Sequence, residues 1–331
     1  MELINSVERL PAKAGPLFVA LGNFDGVHRG HQVILKSAVE KARQENGFSA
    51  ALIFDPHPLI ALQPEQRLTL LTDIADRAEI MAELELDYLI VEHFTNELSS
   101  LTPEQFIRRI LLAKLNISGV FIGEDYSFGK QGTGSAETLS YWGKELGFDV
   151  GIVPIQSYSG TKVSSSKIRS LLLSGAVNEA SELLNYYFFR QGKVIKGYGV
   201  GKKMVYPTAN IAASSRLLWP GKGVYLTSVD KLGNSSYYGV TNVGTRPTFS
   251  DHNNTVETHI IDFNGTIYNH EIRVCFLEKL RDTKTFTSPH QLKEQIGKDI
   301  EQGRNLIEQL KKKQYAKGYS LQAGCSVLRL R

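Results

Sequence analysis

Gly22-Asn23-Phe24-Asp25-Gly26-Val27-His28-Arg29-Gly30-His31 is the stretch whose reading decides the fold. It follows the apolar run Leu17–Leu21 and leads into an amphipathic stretch over residues 31–44. An apolar run, a glycine-rich turn and a helical pattern together open a parallel strand–turn–helix unit. The glycines let the chain turn tightly and bring backbone amides toward a ligand. A helix starting near Gly30 aims its free N–H groups and the positive end of its dipole at the same place.

Outward from this stretch the first half repeats the pattern. Strands are expected over 50–54, 88–91, 119–122 and 150–153, with helices over 73–85, 103–115 and 136–146. The strands are near-continuous apolar runs, as in a sheet covered on both faces. One further helix is expected over 165–184. After Asn185 the texture changes to short alternating segments, over 190–195, 224–229, 237–243, 256–263 and 272–277. Turns such as Asn264-Gly265 separate them, which reads as a small antiparallel barrel or sandwich. A long helix over 289–313 follows. The fold class is therefore α/β plus β: a doubly wound parallel-sheet domain over 1–185 and a small antiparallel domain with a C-terminal helix over 186–331.

Composition agrees with a soluble globular protein. Of 331 residues, 42% are hydrophobic and 22% charged, a mixture unlike disordered, collagenous or coiled-coil chains. No apolar run reaches the ~18–20 residues of a membrane span, and no signal peptide is read at the start, so the cytoplasm is the expected location. Cys275 and Cys325 stand in no CxxC or Cys/His cluster, so a structural metal is not expected; both are read as free thiols, with a disulfide as the lesser reading. Net charge is +4, but residues 309–331 hold six of the 38 basic residues and no acidic one. The rest of the chain balances 32 basic against 34 acidic residues, which disfavours a nucleic-acid face.

His28 and His31 are three apart and can project to one side of the turn. Two imidazoles at a helix N-terminus suit phosphate oxygens on which charge builds. Metal ligation and simple capping of the turn are the competing readings, and no third ligand stands nearby. Ser164-Ser165-Ser166-Lys167-Ile168-Arg169 places three hydroxyls and two cations at a helix start, as an anion cradle or as an N-cap. Two loops follow strand ends, Phe54-Asp55-Pro56-His57-Pro58 and Gly123-Glu124-Asp125-Tyr126-Ser127-Phe128-Gly129. Such ends bind ligands in parallel sheets. No GxxxxGK[ST] occurs, so a P-loop is excluded. In the second half, Thr208 and Asn210 alternate on an extended segment and face one way. Their oxygens suit a hard cation. Glu257, opening an apolar strand, is either a proton acceptor for an attacking hydroxyl or an edge-strand glutamate.

The order and spacing of FDGVHRGH, FDPHP, GEDYSFG and SSSKIR resemble the bacterial bifunctional riboflavin kinase/FAD synthetase family, whose HxGH turn belongs to nucleotidylyltransferases. GKV, PTAN, GVY, NVGTRPTF and VETHIIDF resemble its riboflavin kinase module, a six-stranded barrel. The resemblance covers roughly residues 15–312. It implies that riboflavin and ATP give FMN in the second half, and that FMN and ATP give FAD and pyrophosphate in the first, with Mg2+. It places Gly22, Asn23, Phe24, Asp25, His28, His31, Asp125, Ser164, Ser165, Ser166 and Arg169 on ATP. Pro56, His57 and Pro58 fall on the flavin side. In the kinase half it implies Gly199, Gly201, Lys202, Thr208 and Asn210 on Mg-ATP, Thr208 and Asn210 toward the metal, Glu257 as general base, and Arg281 near the flavin. The family's GRxLGFPTAN reads GKKMVYPTAN here. Val205 stands where glycine is usual and would resist positive φ. That departure implies an alternative, FAD synthesis with a weakened kinase. A flavin-responsive nucleic-acid binder using the basic tail is the alternative of another class.

Overall fold

The computed structural model describes residues 1–12, 15–195, 208–211, 216–232, 235–245, 254–265 and 267–315. Gly199, Gly201, Lys202, Val205, Cys325 and the basic tail beyond residue 315 lie outside them. The chain divides into two compact units, Met1–Ser165 and Ser166–Arg331. Among the described residues no helix is long and apolar enough to cross a membrane.

In the first unit the strands are β1 (Glu2–Ile4), β2 (Leu17–Leu21), β3 (Phe48–Asp55), β4 (Tyr88–His93), β5 (Gly119–Gly123) and β6 (Asp149–Val153). They pair in the order β1-β4-β3-β2-β5-β6, every pair parallel. The helices are α1 (Arg29–Gln44), α2 (Pro58–Leu62), α3 (Ile74–Ala82), α4 (Asn96–Ser100), α5 (Pro103–Phe106) and α6 (Ala136–Leu146). From β2 the order runs to β3 on one side and to β5 on the other. The carboxyl end of β2 is thus the switch point at which open α/β sheets bind ligands. All five residues of β2 are buried, which explains its unbroken apolar run.

The expected helix over 103–115 takes two forms. After α5, residues Ile107–Leu112 widen into π-helical turns, with Ala113 N–H donating to the Arg108 carbonyl and Leu115 N–H to that of Ile110. A hairpin absent from the sequence reading, β7 (Ser157–Tyr158) with β8 (Thr161–Lys162), follows β6.

The single helix expected over 165–184 is two, α7 (Ser165–Ser174) and α8 (Val177–Leu184). Gly175 breaks it at φ 85°. The Gly175 and Ala176 amides donate to the carbonyls of Leu172 and Leu171, a Schellman ending that needs a left-handed residue.

The second unit carries β9 (Phe189–Ile195), β10 (Ala209–Ile211), β11 (Gly223–Leu232), β12 (Ser235–Thr245), β13 (Asn254–Ile260) and β14 (Glu271–Arg281), followed by α9 (Pro289–Tyr315). The strands close into a barrel in the order β10-β13-β12-β11-β14-β9. Tyr225, Thr227, Thr241, Thr258 and Phe276 are fully buried. A chain of threonine hydroxyls links Thr227, Thr241 and Thr258 at 2.8 and 2.9 Å. These bonds satisfy hydroxyls that would otherwise be buried unpaired. α9 contributes Ile307 to an apolar cluster with Leu226 and Leu277. Cys275, fully buried on β14, is disulfide-bonded, not the free thiol expected.

Candidate active sites

The histidine turn is over-determined. Phe24, Gly26 and Val27 have φ of 49°, 83° and 35°. Gly26 adopts this without cost, but a non-glycine residue held there stores about 1–3 kcal/mol. Hydrogen bonds hold the turn from several sides. Gln32 Nε2 donates to the Val27 carbonyl at 2.8 Å, and Ser165 Oγ to the Asp25 carbonyl at 2.9 Å. Ser165 of the SSSKIR motif is thereby joined to the turn. Ser166, Lys167 and Arg169 continue along α7, with Ile168 and Leu172 on its buried face.

His28 caps α1, its Nδ1 accepting the His31 amide at 3.3 Å. An accepting Nδ1 leaves the proton of the neutral ring on Nε2, so His28 presents an Nε2–H donor. The capping reading and the phosphate reading are therefore compatible: one ring nitrogen caps while the other remains a donor. The His31 ring stacks on that of His28, 3.6 Å between centroids and 19° from parallel, and meets Phe24 edge-on. His31 Nδ1 is buried without a hydrogen-bond partner. Burial first, then the neighbouring His28 and Arg77, hold His31 well below the usual imidazole range. His31 is thus held neutral beside His28 at the helix N-terminus.

The depressed His31 has a consequence for stability. Above its unfolded value of 6.5 the ring is neutral in both states. Below that, the unfolded chain takes up a proton that the folded chain refuses, so stability falls as pH falls. His31→Gln is expected to flatten the acid side of the urea midpoint measured between about pH 6.5 and 5.

Asp25 was expected on the nucleotide. Its carboxylate, 3% exposed, faces inward and accepts from the amides of Leu71 and Thr72 and from the Thr72 hydroxyl. In the loop after β3, His57 caps α2 through Nδ1, accepting from the Leu59 amide, between the half-buried Pro56 and Pro58. Asp125 is exposed, and Lys162 of the hairpin lies 3.7 Å from it. Tyr158 of the same hairpin lies under the Arg29 guanidinium at 4.4 Å. The hairpin was illegible because its strands are two residues long, too short for any alternation to register.

In the second unit the register gathers the candidates. Asn210 on β10 pairs with Glu257 on β13, Glu257 with Asn242 on β12, Asn242 with Val224 on β11, and Val224 with Arg281 on β14. Directly opposed residues share a face, so Asn210, Glu257 and Asn242 form one transverse row. Thr208, half-buried, precedes it. Asn242 opens the NVGTRPTF motif, but its place opposite Glu257 appears only once β12 and β13 are paired. Arg281 is held in a two-pronged pair with Asp299 of α9, both bonds 2.7 Å, and Asp299 also accepts from Gln295. Among the described residues no group of three His, Cys, Asp or Glu side chains could hold a metal.

A switch-point turn of stacked histidines in one unit, and a carboxylate between two amides on a closed barrel in the other, define a two-domain transferase acting on phosphate groups. Family comparison separates the same two parts: the FAD synthetase model matches residues 10–167 and the riboflavin kinase model residues 184–307. A bifunctional riboflavin kinase/FMN adenylyltransferase of Buchnera aphidicola subsp. Schizaphis graminum is 34% identical over 304 residues, 91% of this chain and 97% of the relative. One from Listeria monocytogenes is 35% identical over 294 residues, 88% of this chain and 93% of the relative. A solved structure from Streptococcus pneumoniae, described as a macrolide-efflux protein, superposes with a TM-score of 0.83 at 30% identity, covering 92% of this chain and 98% of that one. The chain belongs to the bifunctional riboflavin kinase/FMN adenylyltransferase family.

Proposed function

We propose that this enzyme makes FAD in two steps, phosphorylating riboflavin in the barrel domain and adenylylating FMN in the parallel-sheet domain, and that the domains meet at residues 185–186. The observation that carries the reading is the stacked His28–His31 pair at the N-terminus of α1, on the switch point of the sheet. In the adenylylating step an oxygen of the FMN phosphate attacks the α-phosphorus of ATP. A new P–O bond forms, the bond to the bridging oxygen breaks, and pyrophosphate leaves. The chain's part is positioning and charge stabilisation. His28 donates through Nε2–H, and the N-terminus of α1 with Ser164 and Ser165 donates to the remaining phosphate oxygens. Gly22, Asn23 and Phe24 shape the turn around the nucleotide, Asp125 lies toward it, and Pro56–His57–Pro58 lies toward the flavin.

In the barrel the riboflavin 5′-hydroxyl attacks the γ-phosphorus of a second ATP, and Glu257 takes its proton. Thr208 and Asn210 offer a hydroxyl and an amide oxygen, a donor set that fits Mg2+. With so few protein ligands, the ion would arrive on the nucleotide phosphates and would supply charge neutralisation there. Arg281, anchored by Asp299, marks the flavin end of the row. Product analysis after incubation with riboflavin, ATP and Mg2+ tests the reading: FMN and FAD appear together with ADP and pyrophosphate. FAD formed only from added FMN would remove the kinase half of it.

A further inference from the structure

The segment that runs from Leu71 into α3 lies far from the histidine turn in sequence, yet it grips that turn at three points. The Thr72 hydroxyl accepts the Gly26 amide at 2.8 Å and donates its own proton to Asp25 Oδ1 at 3.3 Å. The Leu71 and Thr72 amides donate to the same carboxylate at 2.9 and 3.0 Å. Arg77 Nη1 donates to the Asn23 carbonyl at 2.9 Å, and its Nε to the Asp73 carbonyl. Thr72 and Arg77 are each 2% exposed. The bonds fall on Asn23, Asp25 and Gly26, about the left-handed residues Phe24 and Gly26. A turn in that conformation persists only where its surroundings over-determine it.

We infer that Thr72 and Arg77 are positioning residues for adenylyl transfer, and that Asp25 acts with them as a brace on the histidine turn, not as a ligand of the nucleotide. The inference rests on the reading that His28 and His31 serve that reaction. Thr72 is the sharpest point of it. Its single hydroxyl is both acceptor for Gly26 and donor to Asp25, so valine, of nearly the same shape, breaks both bonds at once. Serine keeps both.

The experiment measures FAD formation from FMN, ATP and Mg2+ with the full chain. Thr72→Val is expected to lower kcat/KM by more than about tenfold, the effect of letting reacting groups drift by less than an ångström. Thr72→Ser is expected to restore most of it. A smaller loss in Thr72→Val, or a serine variant no better than the valine one, overturns the inference. Should the valine variant fail to fold, Asp25→Asn decides. Asparagine keeps an acceptor for the Leu71 and Thr72 amides but gives up the charge. A brace predicts an unchanged Mg2+ requirement whatever the loss of rate, since the carboxylate faces the Leu71 and Thr72 amides and the buried Arg77 cation. A raised Mg2+ requirement puts Asp25 on the nucleotide and overturns the inference. His31→Ala separates the two levels: full activity there removes the underlying reading, whereas loss there with Thr72→Val unaffected removes only the brace.

Discussion

Glu257→Ala is expected to lower riboflavin phosphorylation about 10²–10⁴-fold, the range for removing a positioned general base. The carboxylate stands opposite Asn210 on one neighbouring strand and Asn242 on the other. Truncation to alanine removes the proton acceptor but leaves the ladder and the buried threonines beneath it, so the barrel stays closed. FAD formation from supplied FMN should stay within about twofold of the parent, because changes at separate sites act independently. Following FMN and FAD by fluorescence-detected chromatography reads both rates in one sample. If alanine at 257 leaves FMN formation intact, Glu257 is an ordinary strand glutamate and the proton goes elsewhere.

The reverse pattern is expected for His28→Ala combined with His31→Ala. Losing one preorganised donor to a developing charge costs about 10²–10³-fold, and the pair together should bring FAD formation close to background. Riboflavin phosphorylation should persist. Because His28 Nδ1 also caps α1, the double variant loses a cap worth about 1 kcal/mol. The thermal midpoint should therefore fall slightly, and the activity loss must be measured well below it. A folded double variant that makes FAD at the parent rate would leave the stacked pair with capping alone.

Much of this was legible in the chain. The run Leu17–Leu21, the turn after it and the amphipathic α1 stood out because a buried parallel strand is uniformly apolar and a surface helix is periodic. The helix α6 and the texture of the barrel strands were equally plain. What escaped were features decided by partners distant in sequence. Glu2–Ile4 is too short to read as a strand and exists by pairing with β4. The break at Gly175 was hidden because apolar positions continue on both sides of it. Asp25 was assigned to the nucleotide through the FDGVHRGH motif; the amides of Leu71 and Thr72 that meet its carboxylate are brought to it only by the fold. Arg77 left one faint trace. It shares the stripe 77–80–81–84 with Ile80, Met81 and Leu84, all buried, where a cation has no reason to stand unless something receives it. In the barrel, Thr208 and Glu257 were readable as residue types, whereas the row that unites Glu257 with Asn210 and Asn242 is a property of register alone.

The three residues of β10 close the ring between β9 and β13. The middle one is Asn210, the residue proposed to meet the metal-bound nucleotide. Were this short strand to peel away, the backbone donors and acceptors of two long neighbours would become open templates for another chain.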